Sequence, residues 1–437
     1  MTGFFRNNQK PVIELTQFLN KTLPNGINVY VYPTDKFKTI VISVFLHQNL
    51  HQDLAAKTAL IPFVLERGTK TWPTTRELVK YLENLYGADI ITEIQKRGER
   101  QVLQFLLEIV NPLYIPEEKD LQRKGLQVLK EILTNPVVEG NGFKESYVKR
   151  EKEIIKNLIE GLKNDKVSYA VERCIQEMCG DEKYGVYRLG KVQDLGGIDA
   201  ANLYEYYREL LSRAPLDVFV LGEVNPDNIF SLMEETFDFS RENALEMEPT
   251  LIYKEVKEVR YKEERLDVNQ GKITLGYRTN TAVKDDDYYA LHFYNGILGG
   301  FPHSKLFQNV REKASLAYYS SSRLERDKGI LLIASGIEIK NYDRALEIIQ
   351  EQVKSISEGN ISDYEFNSTR AGLLNHVRVS EDNPFQIINR HLGDTISGRQ
   401  ETTEEIIEQI NRVTIGDVVK VAEKIRMDTI YFLRNKG

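Results

Sequence analysis

Two stretches of this chain recur at nearly the same offset, and that recurrence constrains the fold more than any other feature. Leu126-Gln-Val-Leu-Lys-Glu-Ile-Leu matches Leu346-Glu-Ile-Ile-Gln-Glu-Gln-Val, and Asp217-Val-Phe-Val-Leu matches Asp428-Thr-Ile-Tyr-Phe. Both pairs lie roughly 210–220 residues apart, the mark of two homologous halves in tandem and not of a short-period solenoid. At 437 residues the chain is also too long for one ordinary core. Each half mixes strands with long helices, so the expected class is α+β: an antiparallel-rich β-sheet covered on one side by helices. The halves are expected over 1–240 and 266–437. Between them, 241–265 (RENALEMEPTLIYKEVKEVRYKEER) is charge-dense with little amphipathic register, and reads as a linker.

The local signals fill in this outline. Pro24-Asn25-Gly26 opens a strand in which Ile27, Val29 and Val31 alternate with Asn28, Tyr30 and Tyr32. A second strand, 39–46 (TIVISVFL), follows the polar tip 35–38, so a hairpin is expected. QVLQFLLEIV (101–110) is a further strand. Helices are predicted over 54–67, 74–86 with Thr74 or Thr75 as cap, 121–133, 146–162 and 200–211, before a buried strand over 217–224. After the linker come a strand over 271–279, helices over 285–298 and 304–313, and a strand pair at 316–325 and 329–338. Helices over 343–357, 363–377, 403–412 and 415–425 and a closing strand at 428–435 complete the half.

Composition excludes several classes. Hydrophobic residues make up 41% and charged residues 28%, which argues against disorder and coiled coil. Lys+Arg of 58 against Asp+Glu of 65, interspersed, leaves no basic stripe for nucleic acid. MTGFFRNNQK lacks the apolar region of an export signal, and TIVISVFL is far too short to span a membrane. A cytoplasmic protein without membrane insertion is expected. Cys174 and Cys179 lie five apart in an amphipathic helix and read as core packing. His47 and His51 have i, i+4 spacing at a strand end, where both rings do not reach one side, and read as exposed loop histidines. KREKE (149–153) and RYKEER (260–265) read as solvated faces. There is no phosphate-binding glycine loop and no nucleophile elbow.

Longer words carry a resemblance. Residues 22–27 (TLPNGI) match a T-L-x-N-G-hydrophobic opening, Gly68-Thr69 matches a pair that follows a helix, and 298–319 read LGGFPHSKLFQNVREKASLAYY. This chain thereby resembles the insulinase/pitrilysin family of zinc metallopeptidases, in the short-chain branch that includes mitochondrial processing peptidase subunits. The family's H-x-x-E-H helix lies about nine residues before Gly-Thr, supplying two zinc ligands and a general base, with a third ligand downstream. Here the ligand positions fall on Ala59, Phe63 and Leu158, and the base on Pro62. No histidine occurs between His51 and His292, so no shift of register restores them. Phe63 and Leu158 are accordingly expected to pack into or near the helix core. Pro62 is expected to kink or interrupt its helix. The Phe63–Leu158 spacing is long for the family, and the excess is placed in surface insertions at 112–120 and 137–146.

The resemblance also implies what is kept. An arginine and a tyrosine seven apart hold substrate backbone and stabilise an oxyanion in the family; here they are Arg311 and Tyr318. His303 is expected to line the same chamber. Ser315 stands where the family often has glycine, so the local turn is expected to differ. The resemblance implies a non-catalytic, substrate-binding subunit of a heterodimeric zinc endopeptidase, inactive alone. Its partner is a homologous zinc-bearing chain that carries the metal, and its substrate is a peptide. The rival reading is a non-enzymatic scaffold of the same fold.

Overall fold

The computed structural model describes residues 17–436 except Pro116 and Lys119; the export-signal reading at 1–10 lies outside the described residues. The first half contains β1 (Leu19–Thr22), β2 (Asn28–Pro33), β3 (Thr39–Asn49), α1 (Gln52–Leu65), α2 (Thr75–Asn84), β4 (Asp89–Arg97) and β5 (Arg100–Val110). It continues with α3 (Leu121–Thr134), β6 (Val138–Glu139), β7 (Gly142–Phe143), α4 (Glu145–Gly161), α5 (Lys166–Met178), α6 (Ala200–Arg213), β8 (Leu216–Gly222) and α7 (Pro226–Thr236). The second half runs through β9 (Arg260–Arg265), β10 (Gly271–Arg278), α8 (Tyr288–Asn295), β11 (Ala317–Glu325) and β12 (Ile330–Ile337). It ends with α9 (Tyr342–Ser357), α10 (Asp363–Ser380), α11 (Pro384–Ser397), α12 (Thr403–Arg412), α13 (Ile415–Ala422) and β13 (Arg426–Arg434). Thr74 does cap α2, in a reciprocal box with Glu77. Arg260–Arg265, read from sequence as the end of the linker, is a strand.

The expected hairpin of β2 and β3 does not form. The first sheet runs β1-β2-β8-β3-β5-β4, with β8 parallel to β2 and antiparallel to β3. Every residue of β8 is buried. A strand buried on both faces needs a neighbour on each edge to pair its backbone, and the gap between β2 and β3 supplies both.

The second sheet, β11-β12-β10-β13-β9, repeats that plan. A hairpin leads to a long helix (β4–β5 to α3; β11–β12 to α9), and the late strand enters beside the first, β13 running parallel to β9 as β8 does to β2. The two sequence words that set the offset fall on α3 and α9, and on β8 and β13.

Helices cover both faces of each sheet, not one. The halves' own helices cover one face. The other is covered by a helix from the opposite half. Ile387, Ile388 and Leu392 of α11 pack on Tyr30, Val41, Phe45 and Phe219 of the first sheet. Tyr169, Cys174, Ile175 and Met178 of α5 pack on Ile330, Leu332, Tyr431 and Leu433 of the second. Gly276 makes room for α5, since a Cβ there would lie 2.6 Å from Met178 Sδ. Where the halves meet, Glu182 accepts from Arg278 (2.6 Å), Lys328 (2.6 Å) and Lys254 (2.5 Å), and Arg278 also reaches Asp428 (2.9 Å). Arg278 and Lys328 are fully buried, so each depends on these carboxylates for compensation.

Candidate functional site

The positions that the resemblance assigns to the metal ligands and the base lie on α1 and α4, and their side chains offer no donor atom. Ala59 and Pro62 are buried, and Phe63 is half-buried against the first core, as expected of it. Leu158 does not pack as expected: it is 46% exposed, on the outward side of α4. Among the described residues, no group of three or more His, Cys, Asp or Glu could hold a metal ion. Pro62 does not interrupt α1, which continues to Leu65 and is closed by Glu66 N–H on the Pro62 carbonyl. Pro62 costs α1 the single backbone bond its own N–H would have made, and the turn beyond it still closes.

Other polar groups nearby depart from their sequence reading. His47 is not in an exposed loop; it is buried, with Nε2 3.1 Å from Asp217 Oδ2 but off hydrogen-bond alignment. His51 is exposed, as read, and caps α1, its Nδ1 accepting from Asp53 N–H. Within KREKE, Glu151 is fully buried and accepts from Arg67 at 2.5 Å, because α4 lays that residue against α1. The segment 137–146 is not wholly a surface insertion either: Phe143 of β7 is buried against Tyr204 and Tyr207. Both cysteines are buried and free, and burial pushes their thiols up, Cys179 to about 11, so neither is a nucleophile.

The block at 298–319 is different in kind. After α8 the chain winds into two π-helical segments, Gly296–Gly300 and Phe307–Lys313. Gly299 is required because a Cβ would lie 2.4 Å from Ser322 N in β11. Two residues beyond the second segment stands Ser315, whose φ of +50° is left-handed. Serine therefore keeps the turn a glycine favours, at a cost of about 1 kcal/mol. Tyr318 then occupies a β-bulge: Ala317 opposes Ile337 and Tyr319 opposes Gly336, so Tyr318 has no partner and is turned outward. It is 56% exposed.

Arg311 and Tyr318 border one cleft of about 400 Å³, together with Glu312 and Glu338. The Arg311 guanidinium lies over the Phe307 ring at 4.6 Å and beside Glu312 at 3.5 Å, without a tight carboxylate pair. His303 does not border this cleft. Its ring stacks on Phe301 and its Nε2 meets Thr369 Oγ1 at 2.9 Å, which ties it to α10. The one signal in the sequence for the bulge is the Tyr318-Tyr319 pair, where strict alternation fails.

Comparison with known proteins agrees with this architecture. Residues 197–373 match the family described as Peptidase M16 inactive domain. The probable inactive metalloprotease YmfF of Bacillus subtilis is 38% identical over 95% of this chain and 97% of its own length. A conserved protein from Enterococcus faecalis V583 has the same fold, with a TM-score of 0.90 and 30% identity over 96% of this chain and 99% of that one. A peptidase M16 inactive domain from Pseudomonas fluorescens superposes at a TM-score of 0.78, with 14% identity over 96% and 98% of the two chains. No helix of the described residues is long and apolar enough to cross a membrane. With 38% identity to YmfF over 95% of the chain, a fold shared over 96% of it and no H-x-x-E-H motif in the sequence, this chain belongs to the M16 family of insulinase- and pitrilysin-like metalloproteases, as a homologue without the zinc motif.

Proposed function

We propose that this chain is the non-catalytic, substrate-binding subunit of a heterodimeric zinc endopeptidase of the cytoplasm. The observation that carries the reading is the shared cleft of Arg311 and Tyr318, both accessible, on a segment built from a π-turn, a left-handed serine and a bulge. Such geometry costs stability and buries little, which favours a role in binding over one in packing. Arg311 holds the peptide backbone. The Tyr318 hydroxyl donates to the carbonyl oxygen as it gains negative charge. A homologous zinc-bearing chain supplies the metal.

Reconstitution tests this directly. The purified chain alone is expected to bind no stoichiometric zinc and to cleave no peptide. Mixed with a homologous zinc-bearing chain from the same cell, it should form a heterodimer that cleaves peptides neither chain cleaves alone. A stable complex without any gain in cleavage favours the scaffold reading.

A further inference from the structure

A second cavity, sharing no residue with the Arg311/Tyr318 cleft, lies among α8, α10, α11 and α12 and reaches the first half at Arg97. Its volume is about 460 Å³, within the range of small-molecule sites. Part of the lining is aliphatic: Val283, Leu373, Val377, Ile406 and Ile410. The ionisable part holds four guanidiniums, Arg97, Arg326, Arg390 and Arg399, with two carboxylates, Asp394 and Glu401, while Asp327 and Glu381 pair with Arg326 and Arg390 from behind the lining, so any anion must be held by donor groups left open and not by excess charge.

These arginines are not equally engaged. Arg399 is closed by Glu401, which it grips with two bonds of 2.7 and 2.9 Å. Arg390 uses only Nη1, on Glu381 and Thr403, which leaves Nε and Nη2 without an acceptor among the described residues. Arg326 is held by two carboxylates, Asp327 at 3.2 Å through Nε and Asp394 at 3.4 Å through Nη2, which leaves only Nη1 without an acceptor among the described residues. His292 borders the same space, edge-on to Tyr288 at 4.6 Å, with no hydrogen-bond partner among the described residues. Burial, with Arg326 and His376 nearby, pushes its pKa down to about 4, so it is neutral and has one N–H to offer.

The geometry points to a binding site for a monocarboxylate with an aliphatic body. A planar carboxylate matches the open fork of Arg390, made by Nε and Nη2, and the His292 N–H adds a third donor. The aliphatic lining needs an apolar body to displace water from it. Asp394 and Glu401 disfavour a ligand of higher charge. The acid is either a free fatty acid or the C-terminal end of an apolar peptide. Both present the same chemistry to this cavity.

Isothermal titration calorimetry on the full chain tests the site and separates the two sources. Decanoate stands for the free acid with decanol as its uncharged control; trileucine stands for the peptide end with trileucine amide as control. One of the two acids should bind at one per chain, at least tenfold tighter than its control. Arg390→Gln should weaken that binding at least tenfold. Val377→Trp, which fills the aliphatic part without changing charge, should abolish it, with circular dichroism checking that both variants fold. No binding of either acid at millimolar concentration overturns the proposal, as does equal binding of decanol and decanoate. Wild-type affinity in folded Arg390→Gln or Val377→Trp also overturns it.

Discussion

The two halves share a strand plan and differ at the positions that the family resemblance singles out in each. In the first half, the positions on α1 that the resemblance gives to two ligands and the base carry Ala59, Phe63 and Pro62, and Ala59 and Pro62 are buried. In the second half, Arg311 and Tyr318 stand out of the core on a π-turn, a left-handed residue and a bulge. A position released from metal binding is free to take apolar side chains and gain burial energy, about 25 cal/mol per Å². The second block has made no such exchange. It keeps strained backbone and exposed polar groups, a combination that packing does not reward.

The largest expected effect tests whether the halves form one unit at all. Glu182 of the first half is the shared acceptor of Arg278, Lys254 and Lys328. Removing it by Glu182→Ala leaves buried cations uncompensated and should cost about 3–5 kcal/mol in denaturant unfolding. Burial opposes the charge on Glu182, yet bonds from Arg278, Lys254 and Lys328 outweigh it and hold the carboxyl down at about 2. With the folded value below an unfolded one near 4.5, the stabilisation is full above about pH 4.5 and lost as pH falls towards 2. Glu182→Gln should flatten that acid limb. A variant as stable as the parent at pH 7 would mean that the apolar contacts of α5 and α11 alone join the halves.

In the reconstituted heterodimer, Tyr318→Phe should lower turnover by on the order of 10²–10³, with assembly unchanged, as for loss of one donor to an oxyanion. Lys313 is the fitting control, since it bonds Asn309 and does not border the cleft, whereas Glu312 does. Equal losses in Lys313→Ala and Tyr318→Phe would turn the block into an interface element and erase the contrast between the halves.

Smaller effects probe the filled side. Phe63 is only half-buried, so Phe63→Ala should cost about 1–3 kcal/mol, less than the 3–5 typical of a fully buried aromatic. Phe219, fully buried and stacked on Tyr30 at 4.6 Å, gives the upper reference in the same unfolding series. An equal loss at both positions would show Phe63 to be as much a core residue as Phe219. Smallest of all, Ser315→Gly should stabilise by up to about 1 kcal/mol, because glycine takes the left-handed conformation without strain. A loss of stability there would mean that the Ser315 Oγ bond to the Glu312 carbonyl outweighs the strain.

What was legible from sequence alone was what short range encodes. Periodicity placed most helices and strands because a buried stripe recurs at 3.6 or 2 residues whatever lies opposite. The repeated words gave the tandem, and the absence of any histidine between His51 and His292 was enough to exclude an H-x-x-E-H helix before Gly68-Thr69. The spacing of Arg311 and Tyr318 was also plain, though not the bulge that turns Tyr318 outward. What the chain buries against itself at long range was not legible. β8 entered between β2 and β3 because a strand buried on both faces needs two edges, and nothing in residues 27–46 announces a partner near 217. Glu151 in a charged run and His47 at a strand end were buried by neighbours distant in sequence, Arg67 and Asp217. The exchange of α5 and α11, and the arginine-lined cavity beside α11, depend on which sheet face each helix meets. An amphipathic helix specifies that its apolar side will be covered; only the assembled fold decides by what.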